Sequence, residues 1–228
     1  MKPALKIAWR YLFAKKQFNA IHIITAISSV AVGVVTAAMI CVLSVMNGFG
    51  VMIEELFSQF DPDLRITAKA GKSFIINKET KSQLLSIPSI NLVSESITET
   101  ALAYFEEKQM PVQLMGVDSV FGQLTGIENI ITDGHYEVFD GAFDRAVLGQ
   151  GLAWKLGIGV HFIHAIEVYA PKREGKVNML RPDVNFNSER CFIAGTFAVN
   201  QQKYDENLML VDIDLARRLL DYETTEVT

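Results

Sequence analysis

From Phe18 to Ile53 the chain carries no Lys, Arg, Asp or Glu. A bilayer core of about 30 Å needs roughly 20 helical residues to cross it. The most apolar stretch, Ile21 to Met46, meets that length. No water-soluble domain needs an uncharged helix this long, so the sequence predicts one membrane crossing near the N-terminus. A secretory signal has an apolar region of about 7 to 15 residues closed by a small-residue cleavage site. This run is far longer and no A-x-A-like site closes it, so the helix is expected to stay uncleaved.

Charge gives the crossing a direction. Lys2, Lys6, Arg10, Lys15 and Lys16 all precede the run, and the first acid in the chain is Glu54. Removing those five cations from the 21 leaves 16 against 26 acids, so the part after the run is near −10. A basic flank stays cytoplasmic, which sends the main domain to the periplasm, or to the outer surface of a cell without one. An acidic outer domain argues against nucleic acid as a partner. About 175 residues remain after Glu54, enough for one sizeable domain or two small ones.

The predicted organisation has three parts: an amphipathic helix on the cytoplasmic side over 1–18, a membrane helix with its outer extension over 19–61, and an outer α+β domain over 62–228. Between Pro3 and Lys16, Leu5, Ala8, Trp9, Leu12 and Phe13 recur at spacings of three and four while Lys2, Lys6 and Arg10 fall on another arc. That pattern suits a helix lying in the inner interface; a charged flank is the plainer alternative. Small residues in the membrane helix, Ser29 and Gly33 among them, offer a face for other helices, and Ser28, Ser29 and Thr36 can place their hydroxyls on the preceding turn. The apolar stripe continues through Phe49, Met52, Ile53, Leu56, Phe57 and Phe60, so the helix is expected to run on to Asp61-Pro62. Cys41 and Cys191 lie too far apart in kind of segment to form a framework, and both read as buried single thiols.

Short elements follow. Leu64, Ile66 and Ala68 alternate with polar residues, which predicts a strand. Ser73–Asn77 is a second short apolar run, and 78–87 reads as a short helix stopped at Pro88. Two β-rich runs, 94–106 and 111–117, predict a hairpin turning at Glu107-Lys108-Gln109. A helical turn is expected over 120–124 and loop over 127–143. A strand over 145–148 leads through Gly149-Gln150-Gly151 into a helix over 152–156 that ends at Gly157. No Lys-Ser or Lys-Thr follows those glycines, so the phosphate-loop pattern fails and a tight strand-to-helix turn accounts for them. Strands are expected over 163–170, 190–199 and 207–211, with a polar loop over 171–188 and a helix over 213–220 capped by Asp212. Loops longer than about 12 to 15 residues are commonly functional or disordered, and the 171–188 loop mixes cations with Val177, Met179 and Leu180 in a way that suits a protein partner. A mobile solvated loop is its bland alternative.

Catalytic signatures are missing. His22, His135, His161 and His164 do not pair with acids or cysteines at ligand spacings, and no H-E-x-x-H, G-x-S-x-G, C-x-x-C or Walker motif occurs. The reading is a non-enzyme without cofactor or metal, with any ATP hydrolysis on another chain.

Several segments carry a family resemblance. Ile7–Lys16 and Val42–Phe49, which contains LSVMNGF, resemble the entry and the end of the first membrane helix in LolC- and LolE-type lipoprotein-release permeases. Leu114–Asp118, Val147–Gly157, Ala194–Phe197, Leu210–Asp212 and Ala216–Leu220 resemble strand and strand–helix units of the MacB-like periplasmic core. At Gly159-Val160-His161-Phe162 the sequence departs from the Gly-Asp turn more usual there. The resemblance implies a membrane α+β fold: one N-terminal transmembrane helix with a preceding amphipathic helix, then a MacB-like mixed α+β periplasmic domain. It implies an N-terminal portion of a permease with four membrane helices, in the bacterial inner membrane, N-terminus cytoplasmic. The implied partners are a cytoplasmic ABC ATPase, a second permease subunit, a periplasmic lipoprotein carrier, lipoprotein substrate and membrane lipids. By the same resemblance Met46, Phe49, Met52, Ile53 and Leu56 would line a lipid cavity, with packing against another helix of the same subunit as the alternative. Pro171, Lys172, Arg173, Lys176, Val177, Met179, Leu180, Arg181 and Pro182 fall where the family's carrier-binding hook lies. An FtsX-like transmission protein and a MacB-like exporter subunit remain the competing readings.

Overall fold

The structure, a computed structural model, describes residues 3–12, 20–57, 62, 64–161, 164–173 and 185–228. It divides into two units, Met1–Glu54 and Glu55–Thr228.

The first unit is helical. Helix α1 covers Pro3–Leu12 and α2 covers Ala20–Phe57, 38 residues. Within α2, Ile23–Met52 is long and apolar enough to cross a membrane. Thr36 Oγ1 donates to the Val32 carbonyl at 2.7 Å, the back-bond to the preceding turn expected for a hydroxyl in an apolar helix. Cys41 is exposed, against the expectation of a buried thiol, and Cys191 is buried as expected. The expected extension to Asp61 is met as far as Phe57; 58–61 lie outside the described residues.

The second unit is built on mixed strands: β1 (Phe74–Ile75), β2 (Ser96–Phe105), β3 (Lys108–Val117), β4 (Ile131–Gly134), β5 (Arg145–Gly149), β6 (Ile166–Pro171), β7 (Phe186–Phe197), β8 (Leu208–Asp212) and β9 (Glu226–Val227). Helices α3 (Lys78–Leu85), α4 (Phe121–Thr125), α5 (Gln150–Leu156), α6 (Gln202–Asp205) and α7 (Ile213–Leu220) lie between them. Hydrogen bonding runs β4-β7-β5-β8-β3-β2-β6, and β6 also pairs with β7, so the sheet closes on itself and leaves β4 outside the ring. A separate two-stranded sheet joins β1 to β9.

Both faces of the central strands are buried. Leu114, Ala146, Leu148, Met209 and Val211 join α5 and α7 in one core, while Met115, Val147, Leu208 and Leu210 join Phe121, Ile127 and Phe197 in another. That two-sided burial is why β5 and β8 read as unbroken apolar runs rather than alternating ones. Helix α7 has the limits its sequence predicts. Asp212 caps it by accepting from the Asp214 N–H at 3.0 Å, and Ile213, Ala216, Leu219 and Leu220 form the buried stripe.

Several expectations are corrected. Residues 64–68 form no strand and Leu64 and Ile66 are exposed; alternation alone supplies no pairing partner. The β2–β3 turn is tighter than expected, with Phe105 opposite Lys108 and Glu106 left-handed at φ 53°, so Lys108 and Gln109 belong to the strand. The loop over 127–143 contains a 3₁₀ turn, Ile127–Ile130, and the edge strand β4. The loop over 171–188 loses residues at both ends, since Pro171 ends β6 and Phe186 begins β7.

The glycines before α5 have a packing cause. A Cβ on Gly149 would lie 2.4 Å from the Asp205 carbonyl oxygen and 2.6 Å from that of Tyr204. The turn is glycine because α6 crosses directly over it.

Candidate functional site

Two places hold the residues that the sequence singles out, one in each unit. On α2, Met46, Phe49, Met52, Ile53 and Leu56 fall within about 120° of arc at 100° per residue. Met46, Phe49 and Met52 are exposed; Ile53 and Leu56 continue the arc in the helical register, their side chains lying outside those described. The helix therefore gathers these residues on one apolar stripe.

The second place is the root of the β6–β7 hairpin. Strand β6 pairs with β7 from Ile166 opposite Cys191 to Pro171 opposite Phe186. The Lys172 N–H then donates to the Asn185 carbonyl at 2.9 Å. Of the nine hook candidates, Pro171, Lys172 and Arg173 are seen here and are exposed; Lys176, Val177, Met179, Leu180, Arg181 and Pro182 lie outside the described residues.

Arg173, though exposed, is engaged by the domain. Its Nη1 donates to Glu226 Oε2 at 2.9 Å and its Nη2 to Glu226 Oε1 at 2.8 Å. Nη2 also donates to Ser73 Oγ at 3.1 Å. The guanidinium lies 4.3 Å from the centroid of the Tyr222 ring, a stacked cation–π arrangement. The Ser73 hydroxyl donates to the same Glu226 carboxylate, and the Glu223 N–H adds a bond at 3.2 Å. With Arg173 as the largest cause, these donors hold the Glu226 carboxyl at about 2. Burial, with the Glu99 charge behind it, pushes the Tyr222 phenol to about 12; its hydroxyl donates to Glu99 Oε1 at 3.1 Å. Lys72 closes the outer side on Glu99 at 3.2 Å. Ile75, Arg173, Asp221, Glu223 and Glu226 line a groove at this root.

Sequence reasoning placed Arg173 in a loop and missed its partners. Glu226 is 53 residues away and Ser73 is 100, so no local spacing announces the cluster. Elsewhere α7 is tied to the sheet by charge: Arg218 meets Asp144 at 2.7 Å and Arg217 meets Glu95 at 3.2 Å. Burial alone would raise the Glu95 carboxyl, but bonds from Lys81 and Arg217 bring it below the usual range. Among the described residues no three His, Cys, Asp or Glu gather as metal ligands.

A helix long and apolar enough to cross a membrane and a closed mixed sheet with helices packed against it define an α+β chain with an N-terminal apolar helix. The family of the MacB-like periplasmic core domain matches residues 25–226, and the chain belongs to that family. The lipoprotein-releasing system transmembrane protein LolC of Buchnera aphidicola is 25% identical over 158 residues, covering 69% of this chain and 39% of that one. The chain thus spans about two fifths of that relative's length. Similar folds occur in the extracellular domain of YknZ, a noncanonic ABC-type transporter from Gram-positive bacteria (TM-score 0.43, 14% identity, 64% of this chain and 65% of that one). The periplasmic region of MacB from Actinobacillus actinomycetemcomitans is another (TM-score 0.46, 10% identity, 68% and 63%). The family assignment makes this a chain with a MacB-like mixed α+β periplasmic core domain that follows an N-terminal apolar helix of membrane-crossing length.

Proposed function

We propose that the chain belongs to a permease subunit of an ABC-type machine that extracts lipoproteins from the inner membrane and passes them to a periplasmic carrier. The observation that carries this reading is the relationship to LolC, 25% identity across 69% of the chain. The subunit does not hydrolyse ATP; a separate cytoplasmic ATPase drives it, and it pairs with a second permease subunit. The five cations before α2 keep the N-terminus cytoplasmic and put the second unit in the periplasm.

In this reading the stripe of Met46, Phe49, Met52, Ile53 and Leu56 lines the cavity that receives lipid chains. An unbranched, polarizable methionine adapts to chains of differing shape. The segment from Pro171 to Pro182 is the carrier-binding hook, with Lys176 and Arg181 among Val177, Met179 and Leu180 as its contact surface and Arg173 at its root. Support comes from the hairpin itself, a paired β6–β7 ladder that delivers this segment from a closed sheet.

The test places a photo-crosslinking residue at Val177 or Met179 in the full-length gene product, in cells. A soluble lipoprotein carrier in the crosslink, with an ABC ATPase co-purifying, is the expected result. A cell-wall hydrolase in its place would overturn lipoprotein release in favour of FtsX-like transmission. A tripartite efflux partner would favour a MacB-like exporter, the reading that the family assignment alone also allows.

A further inference from the structure

We infer that Arg173 is a positioning residue that couples the root of the β6–β7 hairpin to the segment entering the domain from α2, through the shared carboxylate of Glu226.

Three chain segments meet at that carboxylate. Arg173 comes from just beyond the last described hairpin hydrogen bond, Lys172 N–H to Asn185 O. Ser73 comes from the residues immediately before β1. Glu226 itself lies in β9, opposite Ile75 of β1. Beside this cluster the entering segment is held by a short ladder. Its ladder is two residues long, Phe74 opposite Val227 and Ile75 opposite Glu226, and so short a pair is marginal alone. The Ile76 N–H to Thr225 O bond at 2.9 Å and the Lys72–Glu99 pair add to it.

The geometry makes the connection directional. A guanidinium fork bonded to both oxygens of a carboxylate fixes angle as well as distance, and stacking on Tyr222 fixes the plane of the fork. Tyr222 and Glu223 follow α7, whose last turn is held to β7 by Asn187 Nδ2 donating to the Leu219 carbonyl at 3.1 Å. Displacing residues 72–75 therefore drags Glu226, and Glu226 drags the root of the hairpin. An ordinary surface ion pair links two points; here one carboxylate takes donors from the entering segment and from the hairpin together.

The inference deepens the reading of the hairpin as a docking element. It rests on contacts that exist without a partner, so its test needs none, and its failure is distinct from a failed carrier capture. Amide hydrogen exchange is followed at residue resolution on the full chain in detergent micelles, for wild type, Ser73→Ala, Arg173→Ala and the double variant. Ser73→Ala removes a hydroxyl on the entering segment. Coupling predicts that exchange at the Lys172 amide, on the other side of the cluster, rises about threefold. Arg173→Ala raises it about tenfold and also speeds Ile76, the range expected for a charge-assisted bond weakened by solvent. In the double variant Lys172 exchanges no faster than in Arg173→Ala alone. Arg173→Lys, which keeps the charge and loses the fork, falls between wild type and Arg173→Ala.

Two results overturn the proposal. One is a wild-type rate at Lys172 in Ser73→Ala. The other is a double variant whose effects at Lys172 simply multiply, which would mean that the signal bypasses Arg173. Should Arg173→Ala unfold the domain, the same cycle with Arg173→Lys decides between the same outcomes.

Discussion

Gly116 in β3 sets how closely α7 lies on the sheet, and adding one methyl there pits two opposing effects against each other. Gly116 does not have a positive φ, so Gly116→Ala on backbone grounds alone should stabilise by about 0.4–1 kcal/mol through the unfolded chain. Against this, the new Cβ would sit 2.4 Å from the Ala216 Cβ and 3.2 Å from the Ile213 Cα, one a fully buried side chain and the other backbone. Neither can swing aside, because both belong to a helix capped at Asp212 and packed along a buried stripe. Overpacking of this kind costs about 1–3 kcal/mol. The contact, far inside van der Waals distance, belongs at the upper end, about 3 kcal/mol, for a net loss of about 2–2.5 kcal/mol. Denaturant unfolding of the full chain in detergent, followed by near-ultraviolet circular dichroism, measures it. Ala216→Gly removes the opposing methyl at a cost of about 1 kcal/mol for a helical glycine. In the double variant the two losses should fail to add, leaving a favourable coupling of about 1–2 kcal/mol. A neutral or stabilising Gly116→Ala, or strict additivity, would refute the close approach of α7 to β3 as the reason for this glycine.

Three further outcomes follow from the same contacts. Glu226 is depressed to about 2 in the folded chain from 4.5, so the unfolded state binds the extra proton. Its stabilisation is present above about pH 4.5 and is lost as pH falls toward about 2; acid unfolding of Glu226→Gln should lack that part of the slope. Asp212→Ala should cost about 1 kcal/mol by leaving the Asp214 N–H without its cap, and Asp212→Asn should retain most of it in thermal unfolding. Burial, with Asp144 and Glu189 nearby, pushes the Cys191 thiol up. In a Cys41→Ser background a maleimide should therefore leave the native domain unlabelled and modify it only after denaturation.

What could be read from sequence divides by the range of the interactions. Helix α7 was legible to the residue because its cap, stripe and stop are all local: Asp212, the apolar spacing from Ile213 to Leu220, then a left-handed Asp221. The membrane-length helix was legible because its signal is length and absence of charge. Strand β4 was hidden because four residues, ITDG, become a strand only through pairing with β7, Ile131 opposite Phe197. The opposite error arose at Leu64, Ile66 and Ala68, where alternation is present and pairing is not. At the candidate sites, helical arithmetic alone put Met46, Phe49 and Met52 on one arc. The engagement of Arg173 was illegible because its partners lie far along the chain, Ser73 on one side and Tyr222 and Glu226 on the other.

The ring of strands limits how a partner can recognise this domain. Strand addition needs a free row of backbone N–H and C=O groups. In the main sheet, among the described residues, β6 pairs with both β2 and β7, which closes the ring, and the outer edge of β4 is only four residues long. Where the ring is paired, the ladder has no backbone row left to offer a neighbouring or passing unfolded chain. It also leaves selectivity to side chains carried on hairpins and loops, which can vary in sequence without disturbing the ladder beneath them.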